Sequence, residues 1–384
     1  MSRFILYAVP MSLYSAKARS YMLKQHVDFV ELSPGATRFT EKVMPETGRL
    51  IVPVLETPDG QIVQDGVDII DWFETNTAPR QSAYPADPVL RVLGHIFELF
   101  GGEGLVRPAM HYRWNFNETN KAFLEDQFAT FILPALKGPE KMDFARALTD
   151  RMRFAGAGFG VQPEVAPAIE EGYTAFLDEL EAHMRDHPYL FGGLPTIADY
   201  GMIAPLYPHL GRDPYPAQMM KDRARAVFNW VERMNQPGPA MPEFPDRAET
   251  LITGDDLPDT LITLLKRIGT DYGPEVESFI AFTNQWLEDN EVAEGDLVGG
   301  EDQNRVIGNC EFDIRGTPYT AWVMPYRIFV LQRAQDAYDA LTGADKDRMD
   351  TLLSQTGLTG FITSRSSRRV ERANNRDIWG ALRQ

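Results

Sequence analysis

Cysteine is nearly missing from this chain: its 384 residues contain one, Cys310. An intramolecular disulfide is thereby excluded, and a reducing compartment is expected. Long hydrophobic runs are missing too. No stretch approaches the ~18 uninterrupted apolar residues of a membrane helix, so no membrane partner is expected. The opening MSRFILYAVP carries only a short apolar run that ends at Pro10, which reads as no signal peptide and points to the cytoplasm. Positive charge is in deficit. The 38 Lys and Arg residues face 55 Asp and Glu, for a formal net charge of −17. That balance repels phosphate backbones and argues against a nucleic-acid partner. No His/Cys cluster has metal-ligand spacing, so no metal is expected. No G-x-G-x-x-G follows a strand, and no P-loop is present. Cys310 itself reads as a buried small hydrophobe. The charge deficit is uneven. The final twenty residues carry Arg365, Arg368, Arg369, Arg372, Arg376 and Arg383 against Glu371 and Asp377. The simplest reading is a basic tail lying on an acidic body or partner subunit.

What is present is an ordinary globular balance, 43% hydrophobic and 24% charged, over a length that suits two to three domains. Residues 1–80 alternate strands and helices. FILYAV is a strand, SAKARSYMLKQH a helix, and VDFVELS a second strand. IVPVLETPDGQIVQ is a hairpin around the turn chemistry of T-P-D-G, and DGVDIIDWFETN is a closing helix. The order β-α-β-(α)-β-β-α is that of a thioredoxin-like domain. A Pro-rich linker, APRQSAYPADP, ends at residue 88. Residues 88–236 are helical in pattern throughout, an all-α bundle. QPGPAMPEFPD marks a second break, and residues 246–384 are a mixed, mainly helical extension. In it CEFDIRGTPYTAWVM reads as a hairpin with G-T-P at its turn.

Three motifs carry chemistry. Pro53 in I-V-P-V-L opens a strand, where its missing N–H does no harm. The bland alternative is a trans proline on an edge strand. In S-L-Y-S, Ser12 and Ser15 stand at a helix start after the first strand, with Tyr14 between them. Hydroxyls there donate to a ligand's thiolate, and the helix dipole favours the anion. Helix capping is the competing role. In P-T-I-A-D-Y, Thr196 and Asp199 form a capping box that opens an apolar helix.

Taken together, IVPVLETPDGQIVQDGVDIIDWFE, YLFGGLPTIADYGMIAPLYPHLGRDP and FNWVERMNQP resemble the glutathione transferase family over roughly residues 3–237. The S-L-Y-S turn resembles a glutaredoxin C-P-Y-C site with both cysteines removed. The resemblance implies that Ser12, with Tyr14 and Ser15 as neighbours, meets the glutathione sulfur. It implies that Pro53 is the family's cis-proline and that the Val52 backbone pairs with the cysteinyl part of glutathione. Arg49 lies near the place of a basic residue that meets the glycyl carboxylate. Gln64 and Asp65 match the γ-glutamyl site, but Gly66 stands where the family has serine, which removes one hydroxyl hold. A second-substrate pocket is expected between the domains. RPAMHYRWNFN offers Met110, His111, Tyr112 and Trp114 for it, or else forms an aromatic core helix. The implied function is a glutathione transferase with a serine-type site. Its ligand would be glutathione, and its target a small, mostly apolar electrophile. A homodimer is expected, as family members pack the first domain of one subunit on the helical domain of the other. The competing reading is a non-catalytic binding or assembly protein whose cleft the extension modifies.

Overall fold

The computed structural model describes residues 3–300 and 304–383. Its first unit is the expected α/β domain. It runs β1 (Phe4–Tyr7), α1 (Leu13–Lys24), β2 (Phe29–Leu32), α2 (Met44–Thr47), β3 (Val54–Glu56), β4 (Ile62–Gln64) and α3 (Gly66–Asn76). The sheet order is β2-β1-β3-β4, with β1–β2 parallel and the other pairs antiparallel. The parallel pair needs a crossover, and α1 supplies it. The hairpin forms as its turn chemistry predicts, with Gly60 at φ +94° closing it. The Val52–Pro53 bond is cis, as the resemblance implied.

The helical unit contains α4 (Pro88–Leu99), α5 (Val106–Trp114), α6 (Asn117–Ile132), α7 (Glu140–Gly158), α8 (Ala166–Met184), α9 (Ile197–Leu206), α10 (Pro214–Arg223) and α11 (Arg225–Met234). α9 is buried on every side, which fits a helix that is apolar all round. Its capping box forms: the Thr196 N–H donates to Asp199 Oδ2 at 3.0 Å. Asp199 Oδ1 also accepts from the Leu190 N–H at 2.9 Å and Trp230 Nε1 at 3.1 Å. One carboxylate thus ties a helix start to a preceding loop and to α11. Burial pushes its pKa up to about 6, against those hydrogen bonds.

The extension runs α12 (Asp259–Asp271), α13 (Gly273–Asp289), β5 (Gly308–Ile314), β6 (Thr317–Val323), α14 (Tyr326–Asp339), α15 (Gly343–Thr356), α16 (Thr359–Thr363), β7 (Arg368–Ala373) and β8 (Arg376–Leu382). The β5–β6 turn falls one step earlier than G-T-P, at Arg315–Gly316, where φ is +54° and +80°. Positive φ at both central residues is the tight hairpin turn that matches strand twist. The basic tail is not a loose segment but a second hairpin, β7–β8. It turns at Asn374–Asn375 with φ +49° and +61°.

The extension does not build a core of its own. Leu261, Phe279, Ile328, Leu331 and Trp379 belong to the same buried cluster as Leu93, Phe97 and Ile203. α14 lies along α4, and α12 packs on α8. The Pro-rich break at 236–246 is a connection across one surface, not a hinge between separate cores.

Candidate functional site

The site sits where two helix starts meet. α1 opens after β1, and α3 opens after β4. Ser12 is the N-cap of α1, and its Oγ accepts from the Ser15 N–H at 3.3 Å. Ser15 is buried, and its Oγ has no partner among the described residues. Tyr14 points into the space between the domains, beside Lys17 and Gly66. Burial pushes its phenol well above the usual range, and Glu103 adds to the shift. The turn is braced from below by a residue of α5. Arg113 donates to the Met11 carbonyl at 2.9 Å while it grips Asp213 through Nε at 2.6 Å and Nη2 at 3.0 Å.

Across from this turn stand the other expected residues. Asp65 is the N-cap of α3, with φ +94°, and its Oδ1 accepts from the Val67 N–H at 2.9 Å. Its own N–H donates to the Pro53 carbonyl at 3.1 Å. Arg49 Nε donates to Gln64 Oε1 at 3.2 Å. So Arg49, Pro53, Gln64, Asp65 and Gly66 are brought together. No hydrogen bond involves the Val52 backbone among the described residues, since β3 pairing begins at Val54. A Cβ at Gly66 would meet Lys17 and the Tyr14 carbonyl at 3.4 Å, ordinary contact. The glycine is therefore not forced by space.

Met110, His111, Tyr112 and Trp114 are placed elsewhere. All are buried in α5. His111 Nε2 meets Glu170 at 2.9 Å and Nδ1 meets Asn115 at 2.9 Å, while Tyr112 stacks on Phe116. This is the aromatic core helix rather than a pocket wall. Their partners, Glu170, Phe116, Tyr173 and Phe128, belong to the helical unit and not to the cleft.

The cleft between the first two units is filled, and residues of the extension fill it. Tyr326 and Val330 of α14 line what remains, a cavity of about 20 Å³ with Tyr14, Lys17, Gly66, Glu98 and Glu103. That is room for about one water. Tyr326 Oη donates to Asp65 Oδ1 at 3.1 Å. Arg372 of β7 lies 3.6 Å from Asp65, 3.3 Å from Asp68 and 2.5 Å from Asp377. Asn375, at the tip of the hairpin, takes both polar groups of the β4 edge. The Gln64 N–H donates to its Oδ1 at 3.0 Å, and its Nδ2 donates to the Ile62 carbonyl at 3.3 Å. Arg49 Nη2 reaches the Asn375 carbonyl at 3.2 Å. Three of the residues assigned to glutathione by resemblance, Arg49, Gln64 and Asp65, are thus engaged by the chain's own C-terminal segment.

Below the cleft runs a chain of buried charges. Glu103 Oε2 accepts from Arg327 at 3.2 Å, and Arg327 Nη1 donates to Glu275 at 2.6 Å, with Arg107 on the other side of Glu275. Burial pushes the Glu103 carboxyl up, although Arg327 opposes it, and its Oε1 has no partner among the described residues. Glu98 is shared between two faces. Its Oε1 meets Lys17, and its Oε2 accepts from His95 Nδ1 at 2.8 Å. Burial acts to raise its carboxyl, but the Lys17 and Arg333 charges win and hold it well below the usual range. None of these extension contacts was readable from spacing. The cue that exists is the arginine-rich tail with N-N between R-R-V-E-R-A and R-D-I-W-G-A-L, which is hairpin-turn chemistry.

Among the described residues, no group of His, Cys, Asp and Glu side chains is arranged to hold a metal, and no helix is long and apolar enough to cross a membrane. The first two units define a glutathione-transferase-type fold, a thioredoxin-like domain followed by a helical domain. A family model described as the glutathione S-transferase N-terminal domain matches residues 6–81, and one described as the C-terminal domain matches residues 162–233. The chain thus matches both domain models of this family, and residues 234–384 lie beyond both.

No curated protein matches the chain. Several solved structures are similar. The β-etherase LigF of Sphingobium sp. strain SYK-6 shares 18% identity, covers 62% of this chain and 96% of its own, and has a TM-score of 0.42. Glutathione transferase GSTFuA3 of Phanerochaete chrysosporium shares 15% identity over 61% and 96%, with a TM-score of 0.43. A glutathione S-transferase of Methylobacterium radiotolerans, in complex with glutathione sulfonate, shares 18% over 65% and 98%, with a TM-score of 0.37.

Proposed function

We propose that this chain is a glutathione-binding protein of the transferase type whose ligand site is masked by its own C-terminal segment. Glutathione binds when the β7–β8 hairpin withdraws, and its thiolate then lies at the Ser12–Tyr14 turn. One observation carries the reading. Arg372 and Asn375 engage Asp65, Gln64 and Arg49, the polar groups that the resemblance assigns to the ligand, while the Val52 backbone makes no hydrogen bond among the described residues. A carbonyl and an amide at the hairpin tip stand in for a peptide ligand's own polar atoms. Masking lowers apparent affinity by the fraction of molecules that are open.

The chemistry at the turn is thiolate stabilisation. Hydrogen bonds from Ser12 or Tyr14 to the sulfur and the α1 dipole favour the anion. The anion attacks a small, mostly apolar electrophile. A cytoplasmic location and a homodimer go with this reading. α14 covers α4, so a second copy docks on another face.

The test is calorimetric titration of glutathione into the wild type and into the Arg372→Ala/Asn375→Ala double variant. The double variant is expected to bind about 10-fold more tightly, the scale of one lost charged hydrogen bond. Ser12→Ala on that background lowers conjugation of a small electrophile. Equal affinity in both proteins sinks the masking.

A second reading is favoured by a different observation, the buried Arg327 between Glu103 and Glu275. That ion chain fixes α14, and with it Tyr326, in the cleft. A protein fixed in this way serves binding or assembly and does no conjugation. Absence of glutathione binding in the double variant at millimolar ligand decides for it.

A further inference from the structure

The largest opening near the first linker is outside the cleft just described. It lies between the start of α4 and the end of α14, with a volume of about 550 Å³. That is within the range of small-molecule sites, roughly 300–1,000 Å³.

Its polar groups divide into those already satisfied and those left over. Arg333 is spent on Asp71, through Nη1 at 2.6 Å and Nη2 at 2.9 Å, and on the Tyr84 hydroxyl at 2.7 Å. Asp336 is held by both ends of Arg369, at 2.8 and 2.7 Å. Two groups remain. Arg91 uses Nε on the Pro85 carbonyl at 3.0 Å, and its Nη groups have no partner among the described residues. His95 uses Nδ1 on Glu98 at 2.8 Å, and its Nε2 has no hydrogen bond among the described residues. Glu98 is a carboxylate, so the Nδ1 proton lies on that bond. The neutral ring then offers Nε2 as a bare acceptor. Burial lowers the His95 pKa, which keeps the ring neutral in spite of Glu98.

An acceptor at His95 and a cation at Arg91 therefore face one cavity. They are four residues apart on one helix, hence neighbours about one turn, ~5–6 Å, apart. A single aromatic ring with para substituents has that span. The rest of the wall suits a ring: the Tyr84 side chain, Pro88, Ala337 and Leu341. We propose that this groove binds a small phenolic acid. Its hydroxyl donates to His95 Nε2, its carboxylate pairs with Arg91, and its ring lies against Tyr84, Pro88 and Leu341. The groove is separate from the Ser12 turn, and His95 connects to the cleft through Glu98 and Lys17.

The experiment is calorimetry on the full chain with 4-hydroxybenzoate, benzoate and inorganic phosphate. The expected result is saturable binding of 4-hydroxybenzoate, with benzoate about 5-fold weaker for want of the hydroxyl and phosphate not binding at about 10 mM. Arg91 is exposed, so Arg91→Ala leaves the fold intact; it weakens 4-hydroxybenzoate about 10-fold. In His95→Phe, with folding checked by its thermal midpoint, the difference between the two acids disappears. No heat from 4-hydroxybenzoate at about 10 mM, equal binding of the two acids by the wild type, or full affinity in Arg91→Ala each overturns the proposal.

Discussion

The two ends of this chain are held in different ways. The first domain meets the helical domain mainly through apolar surface, with the Lys17–Glu98 pair at its edge: α1 packs on α9, with Tyr21 against Tyr200 and Ala18 and Met22 in the common core. The extension shares the apolar core of the helical unit, α14 lying on α4, but at the cleft it adds a set of arginines. Arg327 reaches Glu103, Arg333 reaches Asp71, and Arg372 reaches Asp65 and Asp68. Apolar burial is non-directional and tolerates similar shapes. Buried ion pairs demand geometry, and removing one partner is far more costly than never having built the pair. The first contact thus makes a fold. The second makes a specific closed arrangement, and it is the one that sets what the cleft can admit.

Breaking the ionic side has the largest expected effect. Arg327→Met leaves Glu103 buried without its cation and Glu275 with Arg107 alone, at a cost of about 3–5 kcal/mol in unfolding free energy. Chemical denaturation measures it. A loss below about 1 kcal/mol would mean that the carboxylates protonate freely or reach water, and that the ionic contact does not hold α14.

The apolar side has its own polar pin, Asp199. Asp199→Ala removes the cap and orphans the Leu190 N–H and Trp230 Nε1, at a cost of about 3 kcal/mol. Asp199 also sets a pH dependence. Its pKa is raised from 3.8 to about 6 by burial, so the folded chain holds the proton more tightly than the unfolded one. The stability this contributes is complete below pH 3.8 and is lost as pH rises through about 6. The Asp199→Asn variant is expected to lose that part of the slope of thermal midpoint against pH. An unchanged slope would remove Asp199 as its source.

The smallest effect probes the ligand side. A Cβ at Gly66 fits at 3.4 Å, so Gly66→Ser is expected to fold with a thermal midpoint close to that of the wild type. In the Arg372→Ala/Asn375→Ala background it restores a hydroxyl at the α3 start and tightens glutathione several-fold, up to about 10-fold. No change on that background would show that glutathione does not lie at the α3 start.

Much of the first 236 residues was legible because their signals are local. T-P-D-G makes a hairpin whatever surrounds it, and Thr196 with Asp199 caps a helix within four residues. The cis Val52–Pro53 bond is different. Its residues alone left a trans edge proline open, and the family resemblance pointed to the cis form. The direction of α5 was less legible. Met110, His111, Tyr112 and Trp114 have the composition of a binding wall, and the neighbours they pack against lie 4 to 59 residues away. The fate of the tail was hidden for the same reason at a greater distance. Arg372 is drawn to Asp65 and Asp68 across some 300 residues of sequence, and Asn375 to β4 across 311. Charge surplus in the tail and deficit in the body predicted that they would meet. They did not predict that the meeting place is the ligand site.

The masking is tested most directly by hydrogen–deuterium exchange of the full chain with and without saturating glutathione. Masking by the tail predicts that glutathione speeds exchange in Arg368–Leu382 while it slows exchange at the start of α3. Bound glutathione with an unchanged or slower hairpin would contradict it.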